Sequence, residues 1–328
     1  MQVNKNQPYN NKIEFAASML TPRYFLTWLG MGILYLLTLC PIRFQLFCGS
    51  QLGSVLLFLS PQRKRIAEIN LQLCFPNKTQ KELKKMVKEV FKDIGRGLLE
   101  TGIAWWQSDH FVDQLITKKS NFERLHGNEE GCLILIKHST HAELDIRIIS
   151  RLLRVGGMYK PQTNKVMNYL MIKARNQYLI GTVTNRQTRR GIKWLQNGLK
   201  FLYAADQDYG EKVSEFVPFF GVQTATVTLP SDLFKRGTKV YFTNVIRVNS
   251  SYEITLEDLS PKTDKDGFLN EMNSFYQQAI LEAPTQYFWM HRRFKTRPEG
   301  EEGFYPRWKR REARREKERN KKVKSLNP

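Results

Sequence analysis

From Phe25 to Cys40 the chain runs sixteen residues without a charge, FLTWLGMGILYLLTLC, before Pro41, Ile42 and Arg43. A membrane-spanning helix wants about 20 apolar residues. Tyr24 on one side, and Phe44, Leu46 and Phe47 on the other, extend the run, with Arg43 reaching back to the interface. The pattern predicts a single-pass membrane-anchoring helix over 24–47, with a helix lying in the interface as the alternative. A second apolar run, Leu52 to Leu59, is too brief to span and is expected on the surface of the body or packed into it. A long, mostly polar segment precedes the first run and no A-x-A-like site follows it, which argues against a cleaved signal peptide. Beyond Pro61 the periods change. Leu83, Met86, Val87, Val90, Phe91, Ile94 and Leu98 step mostly by three and four, predicting a helix within Thr79 to Trp106. The run from Cys132 to Lys137, CLILIK, suits a strand buried on both faces. Further helices are expected at 141–154 and 164–178, and further strands at 200–205 and from Val240 to Val248. Strands alternating with helices predict an α/β layered sheet.

Composition narrows the partners. The chain has 328 residues, 41% apolar and 25% charged, which excludes wholesale disorder and a multi-span membrane protein. Lys and Arg number 52 against 31 Asp and Glu, a formal charge of +21, so anionic partners are expected. The run Arg307 to Lys324 holds 11 of the basic residues and 3 Glu, a net +8. It reads as a solvated helix or a tail, with contact to an anionic leaflet as the functional alternative. Nucleic acid is not expected, because Tyr305 and Trp308 stand at the edge of the basic run rather than interleaved with it. Cys40, Cys48, Cys74 and Cys132 are scattered with no CxxC pair, the usage of a reducing compartment. The cluster Arg63, Lys64, Arg65 is denser than the scattered Lys5, Lys12 and Arg23 before the apolar run, which places the body in the cytoplasm. The expected organisation is a polar segment 1–23, an anchor 24–47, a catalytic domain 48–305 and a basic tail 306–328.

The densest chemistry follows the predicted strand: Lys137-His138-Ser139-Thr140-His141-Ala142-Glu143-Leu144-Asp145. In open α/β sheets reactive groups gather at the carboxyl ends of strands. On one helix His138 and Glu143 would be about 140° out of phase. They meet only with His138 on the loop and Glu143 in the first helical turn. Thr140-x-x-Glu143 is a capping box and supplies that geometry, although capping alone also accounts for Glu143. A carboxylate on imidazole Nδ1 makes Nε2 a general base for a hydroxyl that the substrate itself brings. Two rivals use overlapping residues. His138, His141, Asp206 and Asp208 are candidate ligands for a metal-dependent hydrolase, but the histidine spacing is three rather than the four of a helical metal pair. Asp206-Gln207-Asp208 is a candidate divalent-ion site of a sugar-nucleotide transferase.

His138 followed after four residues by Glu143, at the end of an apolar strand, resembles the HX4D/E signature of lysophospholipid-type acyltransferases. Other segments narrow the resemblance to the late acyltransferases of lipid A biosynthesis. They are Asn70-Leu-Gln-Leu-Cys-Phe-Pro76, Gly97-Leu-Leu-Glu-Thr-Gly-Ile-Ala-Trp105, Tyr203-Ala-Ala-Asp-Gln-Asp-Tyr-Gly210, Phe216-Val-Pro-Phe-Phe220 and Tyr287-Phe-Trp-Met-His-Arg-Arg-Phe-Lys-Thr-Arg-Pro-Glu-Gly300. The likeness runs from about Arg63 to about Tyr305 and includes the hydrophobic anchor, and it implies a glycerolipid-acyltransferase-like α/β fold, a central mixed β-sheet flanked by helices. It implies transfer of a fatty acyl group from an acyl carrier protein thioester to a hydroxyl of a 3-hydroxyacyl chain on a lipid A precursor. The implied place is the cytoplasmic face of a Gram-negative inner membrane. His138 is then the base and Glu143 its orienting partner, with Arg175 and Asp206 at the family's other polar active-site positions. Ala205 departs from the pattern, since relatives often carry proline there. No metal or bound cofactor is implied, because a thiolate is a good leaving group and the carrier protein supplies the acyl chain. The oxyanion donors are either the first amides of the 141–154 helix or Arg175. Lys137, Lys160, Lys165, Lys173 and Arg175 are candidates for the acceptor's phosphates. The Arg292-Arg293-Phe294-Lys295 cluster is expected to face the membrane or the carrier protein. An acyltransferase of the same architecture on another glycolipid or on a lysophospholipid is the alternative.

Overall fold

The computed structural model describes residues 13–125, 130–259 and 267–306; the basic tail and most of the polar N-terminal segment lie outside them. Seven strands build one sheet: β1 (Ile116–Ser120), β2 (Cys132–Ile136), β3 (Val155–Tyr159), β4 (Gly181–Thr184), β5 (Lys200–Tyr203), β8 (Lys239–Val248) and β9 (Ser251–Asp258). Their order is β1-β9-β8-β2-β5-β3-β4, with every neighbouring pair parallel except the β8–β9 hairpin. The sheet is thus mixed, as the resemblance implies. A separate antiparallel hairpin, β6 (Ser214–Phe219) and β7 (Val222–Val227), turns through Phe220 and Gly221, both at positive φ.

Alternation along the central strands divides the core. Leu133 and Leu135 of β2, with Phe201 and Tyr203 of β5, face one apolar layer; Cys132, Ile134, Ile136 and Leu202 face the other. Both layers must be covered, because parallel strands buried on two sides expose no polar face. The first is covered by α3 (Pro61–Cys74), the early turns of α4 (Gln80–Trp106), α8 (Thr188–Gln196), α9 (Leu229–Lys235) and α10 (Phe268–Glu282). The second is covered by the last turn of α4, α5 (Asp109–Leu115), α6 (Ala142–Leu152) and α7 (Lys165–Tyr178). Helix α4, roughly 40 Å long at 1.5 Å per residue, starts in a complete capping box, Thr79 with Glu82, and runs from one layer to the other.

The apolar N-terminal stretch is not one helix. It divides into α1 (Phe25–Thr38) and α2 (Ile42–Leu59), with Pro41 as the N-cap of α2. Gln45 Nε2 closes the corner by donating to the carbonyls of Thr38 at 3.2 Å and Cys40 at 2.7 Å. The expected single anchor over 24–47 is corrected accordingly. By length and composition alone α2 is a candidate span, and it absorbs the Leu52 to Leu59 run. At 14 residues α1 is about 21 Å long, short of the ~30 Å hydrocarbon core. Helix α2 lies along α4 at backbone contact, since a Cβ on Gly95 would sit 2.0 Å from the Gly49 carbonyl and one on Gly53 2.1 Å from that of Phe91. Helix α1 touches the body at both ends. Tyr24 and Trp28 pack with Val166 of α7, and the Thr38 carbonyl accepts from Gln107 Nε2. The outward faces expose Phe25, Leu26, Leu29, Ile33 and Leu36 on α1, and Phe44, Phe47, Val55, Phe58 and Leu59 on α2.

Candidate active site

Strand register assembles the site. In β2 and β5 Leu135 pairs with Tyr203, so the residues three further on in each parallel strand, His138 and Asp206, emerge side by side at the carboxyl ends. Asp206 holds His138 twice: Oδ1 lies 2.5 Å from Nδ1, and Oδ2 accepts the His138 backbone N–H at 2.8 Å. The Asp206 side chain is fully buried, while that of His138 is 30% exposed. Burial alone would favour the neutral acid, but the imidazole and both hydrogen bonds from His138 outweigh it and hold the carboxyl below its ordinary range. In the neutral ring an ionised Asp206 favours the tautomer with the proton on Nδ1, which leaves the lone pair on Nε2.

Glu143 does not meet His138. Helix α6 begins one residue later than a Thr140 cap requires; its N-cap is His141, which makes no side-chain capping bond, and Thr140 Oγ1 is buried without a partner. Glu143 therefore stands at the second helical position, and the capping box expected from sequence is absent. Its carboxylate takes Arg175 Nη2 at 2.5 Å, Arg175 Nε at 3.2 Å and Trp105 Nε1 at 3.1 Å. The carboxylate on His138 Nδ1 is that of Asp206, which strand pairing supplies, rather than that of Glu143. Arg175 is buried, and although burial opposes its charge, Glu143 raises its pKa above the ordinary guanidinium value.

The loop carrying His138 is clamped by the segment after α10. Thr140 N–H donates to the Gln286 carbonyl at 2.7 Å, and Phe288 N–H donates to the His138 carbonyl at 2.9 Å. Tyr287 Oη donates to the Asp206 carbonyl at 3.2 Å. Ala205 N–H donates to Tyr276 Oη at 3.0 Å, which itself donates to the Ile136 carbonyl at 3.1 Å, joining the two strand ends. A proline at 205 would have no N–H for this link. From the other side α4 presses on the loop, where a Cβ at Gly97 would lie 1.8 Å from the Thr140 carbonyl oxygen.

The remaining expected residues separate. Lys137 is buried, donating to Asn244 Oδ1 and, at 2.8 Å, to the Val245 carbonyl. Burial lowers its pKa to about 8 against the pull of Asp145, Glu282 and Asp206. It faces protein, which corrects its expected role as a phosphate contact. Lys160, Lys165 and Lys173 are exposed. Arg293 and Phe294, expected at the membrane or carrier surface, are buried; Arg293 braces the β6–β7 hairpin through the Ala225 carbonyl at 2.6 Å and Thr226 Oγ1 at 3.1 Å. Asp208 accepts Thr296 N–H at 2.6 Å, Thr296 Oγ1 at 2.8 Å and Gly210 N–H at 3.0 Å, the work of a turn residue. His141 pairs with Asp145 rather than with the other candidate ligands. No group of three His, Cys, Asp or Glu side chains among the described residues converges as a metal site. One histidine escaped sequence reasoning. His291 accepts Asp208 N–H on Nε2 at 3.1 Å, and burial, with His138 nearby, lowers its pKa to about 4. Its segment has no regular period, and it entered the sequence reading only within the Tyr287 to Gly300 stretch that carries the resemblance.

These features define the class as an α/β protein with a histidine–carboxylate pair at the carboxyl ends of β2 and β5 and with bare apolar faces on α1 and α2. Comparison with known proteins narrows that class. Residues 12–296 match the family model described as bacterial lipid A biosynthesis acyltransferase. The chain is 34% identical over 304 residues to the lipid A biosynthesis palmitoleoyltransferase of Escherichia coli K12, covering 89% of this chain and 98% of that protein. It is 32% identical over 301 residues to the lipid A biosynthesis lauroyltransferase of the same strain, covering 88% and 98%. A myristoyltransferase of that strain is 25% identical over 299 residues, covering 88% and 92%. The chain belongs to the bacterial lipid A biosynthesis acyltransferase family.

Proposed function

We propose that this protein transfers a fatty acyl chain from an acyl carrier protein thioester to a hydroxyl of a 3-hydroxyacyl chain on a lipid A precursor, with His138 as general base. The observation that carries the proposal is the double hold of Asp206 on His138 beside the sheet's carboxyl edge. Nε2 takes the acceptor's hydroxyl proton as that oxygen attacks the thioester carbonyl. The carbon–sulfur bond then breaks, and the imidazolium returns the proton to the departing thiolate. Neither a metal nor a covalent enzyme intermediate is needed for that balance. Because the Arg175 guanidinium is engaged by Glu143, the Ala142 and Glu143 amides at the start of α6 are the favoured oxyanion donors. Exposed Lys160, with Lys165 and Lys173, supplies cationic contacts for acceptor phosphates.

Two measurements bear on this reading. Mass spectrometry of lipid A from cells with and without the gene should show one acyl substituent missing without it; an unchanged spectrum points to another glycolipid or a lysophospholipid as acceptor. Purified enzyme should retain transfer in EDTA, whereas chelator-sensitive turnover favours the hydrolase reading.

Attachment to the inner membrane is proposed to be monotopic, with α1 and α2 lying in the cytoplasmic leaflet. Both ends of α1 rest on the body and α2 lies along α4, whereas a helix crossing the bilayer must carry one end to the far side. Phe58 is 82% exposed and Phe47 60% exposed, and burying each phenyl ring in lipid is worth roughly 1.5–3 kcal/mol. Substituting both, Phe47→Glu with Phe58→Glu, should lower binding to anionic vesicles at least about tenfold in a flotation assay. Unchanged flotation would remove these helices from the membrane contact.

A further inference from the structure

Beneath the catalytic loop lies a second, buried imidazole that acyl transfer as described does not use. His141 is 1% exposed. Its Nδ1 lies 2.5 Å from Asp145 Oδ1 and 3.3 Å from Ser139 Oγ, and its Nε2 lies 3.0 Å from Gln286 Oε1. The protons on this ring follow from the neighbours. Gln286 Nε2 donates to the Arg247 carbonyl at 2.8 Å and its Oε1 accepts the Arg247 N–H at 2.8 Å. That pair of backbone bonds fixes the amide, so the atom facing His141 Nε2 is an acceptor and Nε2 must carry hydrogen. On the other side Ser139 Oγ spends its proton on Asp145 Oδ2 at 2.5 Å and accepts the His141 backbone N–H at 3.2 Å. Nδ1 therefore faces two acceptors. Both nitrogens act as donors, which is the imidazolium.

The charged surroundings are mixed. Asp145 on α6 and Glu100 on α4 favour the cation; Arg247 on β8 opposes it; the Tyr252 ring on β9 meets the imidazole edge-on at 5.7 Å. Lys137, at the end of β2, shares Asp145 with it. Burial is the largest single influence and disfavours charge, but the carboxylates outweigh it and the His141 pKa is raised.

Gln286 joins this ring to the site. The same residue takes Thr140 N–H on its carbonyl and His141 on its side chain. We propose that His141 is a positioning residue: held as an imidazolium between Asp145 and Gln286, it fixes the 138–140 loop so that His138 presents its lone pair to the acceptor hydroxyl. Loss of either proton leaves acceptor facing acceptor and frees the loop. Since the folded-state pKa is raised, the stabilisation is complete below the ordinary histidine value near 6.5 and is lost as pH rises through the raised value. Turnover therefore acquires an alkaline decline that belongs to residue 141. This inference rests on the reading of His138 as the base, but the charge on His141 can be measured without it.

The experiment uses the full-length enzyme, labelled with 15N at its five histidines and held in lipid nanodiscs, with the His141 signals identified by their absence in His141→Gln. Both ring nitrogens of His141 should show protonated shifts at pH 7.5; a neutral ring there overturns the proposal. In kinetics His141→Gln should lower kcat about tenfold or more with KM values changed less than about twofold, and should erase the alkaline decline. Wild-type kcat in that variant also overturns it. If His141→Gln does not fold, Asp145→Asn carries the kinetic arm: its alkaline decline should move down by about one pH unit or more, and an unmoved profile sinks the idea. If the wild-type enzyme transfers no acyl chain, it is the functional reading that fails, and the spectra alone still judge His141.

Discussion

Asp206→Asn should lower kcat for acyl transfer by about 10^3-fold, close to the loss expected from His138→Ala. The alanine variant removes the base outright. The asparagine variant keeps the shape and changes where the proton sits. In the wild-type protein one carboxylate oxygen accepts the His138 backbone N–H, and the other faces Nδ1. An amide has a single oxygen, and the backbone N–H draws it. The NH2 group then points at Nδ1, makes that nitrogen an acceptor and drives the proton onto Nε2, the atom that must be bare. The lesion is therefore in kcat, with donor and acceptor KM little altered and the fold intact. Glu143→Gln is a different experiment, because it strips the buried Arg175 of its counter-charge and should lower Tm together with activity. Wild-type kcat in Asp206→Asn, alongside lost turnover in a Glu143→Gln protein of normal Tm, would return the orienting role to Glu143.

That choice between two carboxylates marks where sequence reading ends. The central strands β2, β5 and β8 were legible as compact apolar runs, and the helices α4, α6 and α7 as longer stretches with helical spacing. Asp206 was found as a family position, but its contact with His138 spans 68 residues in sequence and exists only through the β2–β5 register. A local partner five residues away was visible without any tertiary knowledge, so it took the assignment. The missed strands have specific causes. In β3 the run Val155-Gly-Gly-Met-Tyr159 lacks strand propensity at its centre, and Gly156 is there because the Trp194 ring would lie 2.6 Å from any Cβ. Strand β1, Ile-Thr-Lys-Lys-Ser, is an exposed edge whose charged residues hide its pairing with β9. The apolar N-terminal stretch was misdivided for a related reason. Hydropathy sums over Pro41, whereas the backbone turns there, and the contact of Gly49 and Gly53 with α4 leaves no mark on an apolarity scale.

Arg247→Met should destabilise the fold by about 3–5 kcal/mol, the largest stability effect expected of a single substitution here. Arg247 is 7% exposed and lies between two buried carboxylates. Its Nη1 reaches Glu100 Oε1 at 2.6 Å and Oε2 at 2.7 Å, its Nη2 meets Asp93, and Tyr252 Oη also donates to Glu100. Methionine fills the volume but leaves Glu100 with only a phenol, and Asp93 with only the partly exposed Arg96, at 2.7 Å. At roughly 2–4 °C per kcal/mol for a large domain, Tm should fall by about 10 °C. Replacing Glu100 by Gln in the same chain removes one stranded charge and should recover part of the loss, which distinguishes desolvated charge from lost packing. Because Gln286 is tied to the Arg247 backbone rather than to its guanidinium, variant molecules that remain folded should keep most of their kcat. An unaltered Tm in Arg247→Met would mean that water reaches these carboxylates and that the link between α4 and β8 is apolar packing alone.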